Sequence, residues 1–155
     1  MSRFDIFQND ISGKYIKRFT TASRIVDDST LPKATQELVK IRASQINHCG
    51  MCLDMHTKDA AAAGETPVRL AMIAAWHEST VFTDAERAAL ALTEEGTRLA
   101  DAAPGISEET WSLVRKHYDD DQIGALISLI AVINAWNRLN VISGQVGGEY
   151  VPGQW

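Results

Sequence analysis

The sequence is poor in several things, and each shortage excludes a class of protein. Two cysteines in 155 residues are too few for a disulfide scaffold, so the fold has to rest on an apolar core. Basic residues are outnumbered, with 15 Lys and Arg against 20 Asp and Glu and a formal charge of −5. That balance argues against nucleic-acid binding, which needs clustered cations to meet phosphates. No run reaches the roughly 18 apolar residues of a membrane-spanning helix, so no membrane partner is expected. The opening Met1-Ser2-Arg3-Phe4-Asp5 lacks the apolar centre of an export signal, and the expected location is the cytoplasm. Convincing β-alternation and fixed-period repeats are missing as well. The hydrophobic fraction of 45% is ordinary for a folded domain, and a chain of this length buries roughly two thirds of its unfolded surface. One domain over residues 1–155 is expected, with its core at about 31–142 and a glycine-rich tail at 144–155.

Periodicity points to helix nearly throughout, an all-α fold of about seven helices. Ile11, Tyr15, Phe19, Ala22 and Val26 fall on one face of a 3.6-residue repeat. Pro32 opens a second helix, with a stripe of Ala34, Leu38, Ile41 and Gln45/Ile46, ending near Asn47. The third runs from about Cys49 to Ala63, where Gly64 stops it, and the fourth from Thr66-Pro67 to about Trp76. Thr83 and Glu86 have the form of a capping box for a fifth helix, expected to run to Ala100 before Pro104-Gly105. Ser107 should cap a sixth helix through His117, and Asp121 a seventh. The seventh is apolar around most of its circumference (Ile123, Leu126, Ile127, Leu129, Ile130, Val132, Ile133), so it needs cover on every side. Either it is the central core helix or a second subunit covers part of it. The tail, ending in Trp155, reads as a strap on a neighbour or a frayed end.

Chemistry concentrates around Cys49-Gly50-Met51-Cys52. With Cys49 in the first turn of a helix, Cys52 lies about one turn on, close enough for the two sulfurs to form a disulfide. Free amides and the positive end of the helix dipole favour thiolate there, and the thiolate is the form that attacks a peroxide or a disulfide. His56 follows Cys52 by four residues, over the same face, as a proton carrier. Glu37 lies ten residues before Asn47, where the second helix turns back. In an antiparallel hairpin it meets the third helix around His56 to Asp59, and a carboxylate there fixes the imidazole tautomer and raises its basicity.

Other readings compete. The cysteines could be two buried thiols at helical spacing. They could join His56 and either His48 or Glu37 around zinc, which is disfavoured because the donors crowd one turn instead of forming two separated pairs. Covalent haem needs a histidine directly after the second cysteine, where Leu53 stands. No βαβ pattern surrounds the motif, against a thioredoxin-like fold, and so short a closed loop stabilises little as a structural disulfide. His48 reads as a loop residue near the cysteines. His77 and His117 read as structural residues at helix ends, Trp76, Trp111 and Trp136 as core or interface, and Asp119-Asp120-Asp121 as a cap and solvated turn.

Taken together, Glu37, Cys49-x-x-Cys52 and His56 resemble the AhpD-like alkylhydroperoxidase branch of the carboxymuconolactone decarboxylase family. The likeness extends through Asp54-Met55-His56-Thr57-Lys58-Asp59-Ala60, Ala74-Ala75-Trp76-His77-Glu78, Phe82 to Leu90, and Ile133-Asn134-Ala135-Trp136-Asn137-Arg138-Leu139. It implies an all-helical fold assembling as trimers or hexamers and thiol-dependent reduction of hydroperoxides. It further implies Cys52 as the attacking thiolate, Cys49 as the resolving thiol, and His56 with Glu37 as the proton relay. No bound cofactor or metal is implied beyond a redox-active Cys49–Cys52 disulfide, recharged by an external dithiol of the lipoyl type or carried on a lipoylated protein. Met51 stands where the family's namesake peroxidase has a histidine. The relay then runs through Glu37 and His56 alone, or His48 substitutes. A disulfide-exchange or redox-sensing module built on the same cysteines is the alternative, and decarboxylation is not expected, because that branch lacks the cysteine pair.

Overall fold

The computed structural model describes residues 2–101 and 105–154. Among them are seven α-helices and no strand: α1 (Asp10–Asp27), α2 (Lys33–Ile46), α3 (Gly50–Ala62), α4 (Pro67–Met72), α5 (Asp84–Thr97), α6 (Glu108–His117) and α7 (Asp120–Ser143). A 3₁₀ segment, Ile73–Glu78, continues α4 and breaks at Ala75 (φ −125°, ψ 34°), so the expected fourth helix is an α turn followed by a tighter one.

The capping signals explain most boundaries. Asn9 accepts from the amides of Ile11 and Ser12 at the start of α1, and Thr66 and Ser107 do the same for α4 and α6. Thr83 and Glu86 form the expected reciprocal box at α5. The seventh helix begins earlier than expected. Asp119, not Asp121, is its cap, because only Asp119 has Gln122 three residues on to complete the box. Helix α5 ends at Thr97, short of Ala100. The expected stop at Pro104 and the terminal Trp155 lie outside the described residues.

Helix α2 is the centre, packed against α3, α5 and α7. Its Val39 joins a cluster with Leu31, Leu92, Val114, Leu126 and Leu129, while Leu38 and Ile41 turn to a second cluster with Ala60, Ile73, Trp76, Phe82 and Leu90. Each such aliphatic side chain contributes about 1.5–3 kcal/mol by leaving water. The expected single stripe therefore misses five of the seven residues that α2 buries. Thr35, Gln36 and Ser44 are also inside, and Gln36 is satisfied by donating to the Leu31 carbonyl at 2.8 Å. Ala34 is exposed.

Helix α1 departs further from its reading. It packs on α7 through Val26 and Phe19, whose ring lies tilted against Trp136 at 5.0 Å between centroids, buries Ile16, and leaves Ile11, Tyr15 and Ala22 in solvent. The periodic stripe is thus split, with Phe19 and Val26 turned inward and Ile11, Tyr15 and Ala22 outward. Helix α7 lies against α1, α2, α3 and α5, yet Ile127, Val141 and Ile142 remain exposed. By length and composition α7 is the one described helix apolar enough to cross a membrane. Here it is a core helix that also buries Asn134, Asn137 and Asn140.

Candidate active site

The α2–α3 turn carries the cysteines. Asn47 ends α2, and His48 takes a left-handed conformation (φ 55°) that lets the Cys49 amide donate back to the Ser44 carbonyl at 3.0 Å. That position ordinarily favours glycine. The His48 ring is exposed, and no hydrogen bond joins it to either sulfur among the described residues.

Cys49 is the N-cap of α3, and its sulfur accepts the Cys52 backbone N–H at 3.3 Å. The two sulfurs are joined in a disulfide, with the Cα atoms 5.3 Å apart. Both residues are 1% exposed. Cys52 Sγ also accepts from Asn140 Nδ2 of α7 at 3.4 Å. Each sulfur thus has its own donor, at the end of a helix whose dipole favours negative charge.

One turn beyond Cys52, His56 is buried, and its Nδ1 lies 3.0 Å from Glu37 Oε2. The antiparallel packing of α2 against α3 makes this contact. Burial alone would raise the Glu37 carboxyl. The hydrogen bond and charge of His56, together with Lys40 Nζ at 3.0 Å from Glu37 Oε1, hold it below its ordinary value instead. An ionised carboxylate can only accept, so His56 Nδ1 carries the proton and Nε2 is left as the basic nitrogen. Lys40 also reaches Asp27 at 3.0 Å. Burial would lower its ammonium, but Glu37 and Asp27 raise it above its usual value. The site's charges are therefore compensated in a chain, Asp27–Lys40–Glu37–His56.

Three features had no warning in the sequence reading. The first is a column of asparagines on α7. Asn47 Nδ2 donates to Asn134 Oδ1 and Asn137 Oδ1, each at 2.9 Å, and Asn137 Nδ2 donates to Ser44 Oγ at 3.0 Å. These bonds tie the cysteine turn to α7. The signal was present as Asn134, Asn137 and Asn140 at steps of three within an apolar helix. The second is Asn140 itself, the end of that column. The third is the tail, which folds over α3 of its own chain instead of fraying. Asp54 Oδ2 accepts the amides of Gly148 (2.6 Å) and Tyr150 (2.9 Å), Lys58 Nζ donates to the carbonyls of Gly148 and Tyr150, and the Tyr150 hydroxyl donates to Asp59. Gly147 passes so close that an added Cβ would lie 2.4 Å from the Gly50 carbonyl oxygen.

The remaining candidates lie elsewhere. His77 stacks on Trp76 and approaches Glu94, whose Oε1 also accepts from the Trp76 indole and from Arg42. Among the described residues His117 Nε2 is buried without a partner at the end of α6, and Trp111 is partly exposed. Asp119 caps α7, and Asp120 pairs with Arg115 at the surface. No cluster of three or more metal-ligating side chains occurs among the described residues.

YdfG of Bacillus subtilis, an uncharacterised protein, is 36% identical over 135 residues, spanning 87% of this chain and 90% of YdfG. The crystal structure of an Agrobacterium tumefaciens protein of unknown function, a candidate AhpD-type antioxidant defence protein, superposes with a TM-score of 0.89 at 29% identity, over 97% of this chain and all of that one. The debrominase Bmp8 shares the fold, with a TM-score of 0.76 at 18% identity over 88% of this chain and 74% of its own. The carboxymuconolactone decarboxylase model matches residues 13–95, which take in Glu37, both cysteines and His56. With its cysteine pair and its Glu–His couple inside the matched residues, the chain belongs to the AhpD-like group of the carboxymuconolactone decarboxylase family.

Proposed function

We propose that the protein is a thiol-dependent peroxidase with an antioxidant role. The observation that carries this reading is the Cys49–Cys52 disulfide at the head of α3 with the His56–Glu37 couple on the same helix face. In the reduced protein the Cys52 thiolate attacks the outer oxygen of ROOH. The O–O bond breaks, ROH leaves with a proton relayed from His56, and Cys52 becomes a sulfenic acid. Cys49 then attacks that sulfur, expelling water and closing the disulfide. An external dithiol, of the lipoyl kind or on a lipoylated protein, reduces the disulfide by exchange and becomes a cyclic disulfide itself. The sum is ROOH and a dithiol going to ROH, water and a disulfide. Glu37 keeps Nδ1 protonated throughout, so that Nε2 moves the proton.

The exposed apolar residues of α1 (Ile11, Tyr15) and α7 (Ile127, Ile142) support assembly as a trimer or hexamer, which would remove both faces from water. The cytoplasm is the fitting compartment, since its thiol pools keep such a pair reducible. Met51 favours a second reading, disulfide exchange with a protein thiol and little peroxide turnover, because Met51 carries no proton beside Cys52.

The test is consumption of cumene or tert-butyl hydroperoxide with dihydrolipoamide as donor, in wild type, Cys49→Ser and Cys52→Ser. Turnover lost in both variants is expected. Full activity in Cys52→Ser refutes the assignment. Absence of peroxide turnover in wild type, with the pair still cycling between dithiol and disulfide, selects the exchange reading.

A further inference from the structure

The two sulfurs of the pair are held by donors of different kinds. Cys49 Sγ accepts a backbone N–H, which any residue at position 52 would supply. Cys52 Sγ accepts a side-chain amide from another helix, Asn140 of α7. Asn140 is 8% exposed, and no other hydrogen bond of its side-chain nitrogen is present among the described residues. A buried amide placed against a sulfur, with no stronger acceptor, is a costly arrangement for stability alone, because a neutral or disulfide-bonded sulfur is a weak acceptor. The same donor facing a thiolate makes a charge-assisted bond of about twice the strength.

We propose that Asn140 is a catalytic residue of the pair, the hydrogen-bond donor that stabilises the Cys52 thiolate and raises the reduction potential of the Cys49–Cys52 disulfide. This rests on Cys52 being a redox-active thiol, as in the proposed function, but not on a peroxide being the oxidant. The other groups around Cys52 are accounted for. On α3 they are Cys49 and His56, and α2 acts through Glu37 on His56, with Lys40 behind. Asp54 and Lys58 are engaged by the tail. On α7, Arg138 is exposed and bonds Asn134, leaving Asn140 as the group that α7 brings to the sulfur. The position is also well fixed. The asparagine column below it is tied to Asn47, and Gln145 N–H donates to the Asn140 carbonyl at 2.9 Å as α7 ends at Gly144.

The experiment measures the Cys52 pKa directly. In a Cys49→Ser background, serine is itself a good helix cap, so α3 keeps its start. Thiolate absorbance near 240 nm and the rate of alkylation by iodoacetamide are followed against pH, alone and with Asn140→Leu or Asn140→Asp. Leucine keeps the volume without the donor. Aspartate keeps the shape and replaces the donor by an acceptor, so it remains available should the leucine variant not fold. Loss of one hydrogen bond to a charged sulfur should raise the Cys52 pKa by about one unit, leaving about tenfold less thiolate at a pH below it. With both cysteines present, the disulfide of Asn140→Leu should be favoured about tenfold more in a glutathione or dihydrolipoamide redox titration, a shift of about 30 mV to more negative potential. An unchanged Cys52 pKa in folded Asn140→Leu or Asn140→Asp overturns the proposal. A shifted pKa in a protein that turns over no peroxide keeps it and removes the peroxidase reading instead.

Discussion

Replacing Glu37 by glutamine tests the charge chain at its centre. In the native protein Glu37 accepts from His56 Nδ1 and from Lys40 Nζ, both at 3.0 Å, with its side chain 20% exposed. Glutamine has one carbonyl oxygen to offer and turns an NH₂ toward the second donor, so one bond is lost and the other is no longer charge-assisted. Lys40 is left with Asp27, whose side chain is 41% exposed and so a weaker partner. Hydrogen bonds to charged groups contribute about 1.5–3 kcal/mol net, and the half-open setting keeps the cost below that of a fully buried pair, so about 2–3 kcal/mol of stability should be lost at pH 7. The pH dependence is more discriminating. The folded-state pKa of Glu37 lies below its ordinary value of 4.5, so its contribution is complete above that value and disappears as pH falls through the folded one. Glu86, Glu94 and Glu95 are also held low, but they are common to both proteins and cancel in the difference. Urea unfolding at a series of pH values should show the gap between wild type and Glu37→Gln narrowing steadily below pH 4.5. Turnover at neutral pH should fall about 10- to 100-fold, as for other groups that orient a working histidine. A gap that stays constant down to pH 3, or no gap at pH 7, refutes the reasoning that Glu37 is an ionised acceptor for both neighbours.

Three further outcomes follow from the same contacts. Gly147→Ala puts a methyl group into the Gly50 backbone and should undock the tail, with faster amide exchange at Gly148 and Tyr150 and a loss of about 1–3 kcal/mol in chemical unfolding. Asn137→Leu removes the donor to Ser44 and one acceptor of Asn47 in a fully buried position, and about 1–3 kcal/mol should be lost. Asp54 is drawn down to about 2 by the Lys58 hydrogen bond and the Tyr150 and Gly148 amides, so tail protection measured by proteolysis should persist at pH 4, whereas Asp54→Asn should lose it at neutral pH.

Much of the helical order was legible because capping chemistry is local. The Thr83–Glu86 box and the Ser107 cap need only residues three apart, and both stand where expected. The Glu37–His56 contact was legible for a related reason: a tight antiparallel turn between two helices converts equal distances along the chain into proximity. What depended on the identity of the neighbour was not legible. The stripe Ile11–Tyr15–Phe19–Ala22–Val26 has helical spacing, yet only Phe19 and Val26 of it turn to the core and α7, while Ile11, Tyr15 and Ala22 are exposed, because periodicity reports that a face is apolar and not which partner it meets. The tail was illegible for the opposite reason. Its docking consists of backbone amides and carbonyls held by Asp54 and Lys58, and backbone groups leave no mark on side-chain composition.

The asparagines of α7 show where pattern and physics part. Three polar residues at steps of three in an apolar helix read as a narrow wet face, and by that rule Asn134, Asn137 and Asn140 would point to solvent. In the fold they point to the α2–α3 turn, where Asn47, Ser44 and Cys52 await donors and acceptors, and the apolar residues Ile127 and Ile142 take the exposed side. The inversion has a functional sense. Apolar packing is tolerant of small displacements, whereas a hydrogen-bonded column fixes distances to a few tenths of an ångström. In the proposed cycle the cysteine pair closes and reopens, which requires its turn to be held in one register throughout. Bonds to Asn47 and Ser44 supply that hold without touching either sulfur, and the last residue of the column, Asn140, is thereby brought to the one sulfur whose charge it can govern.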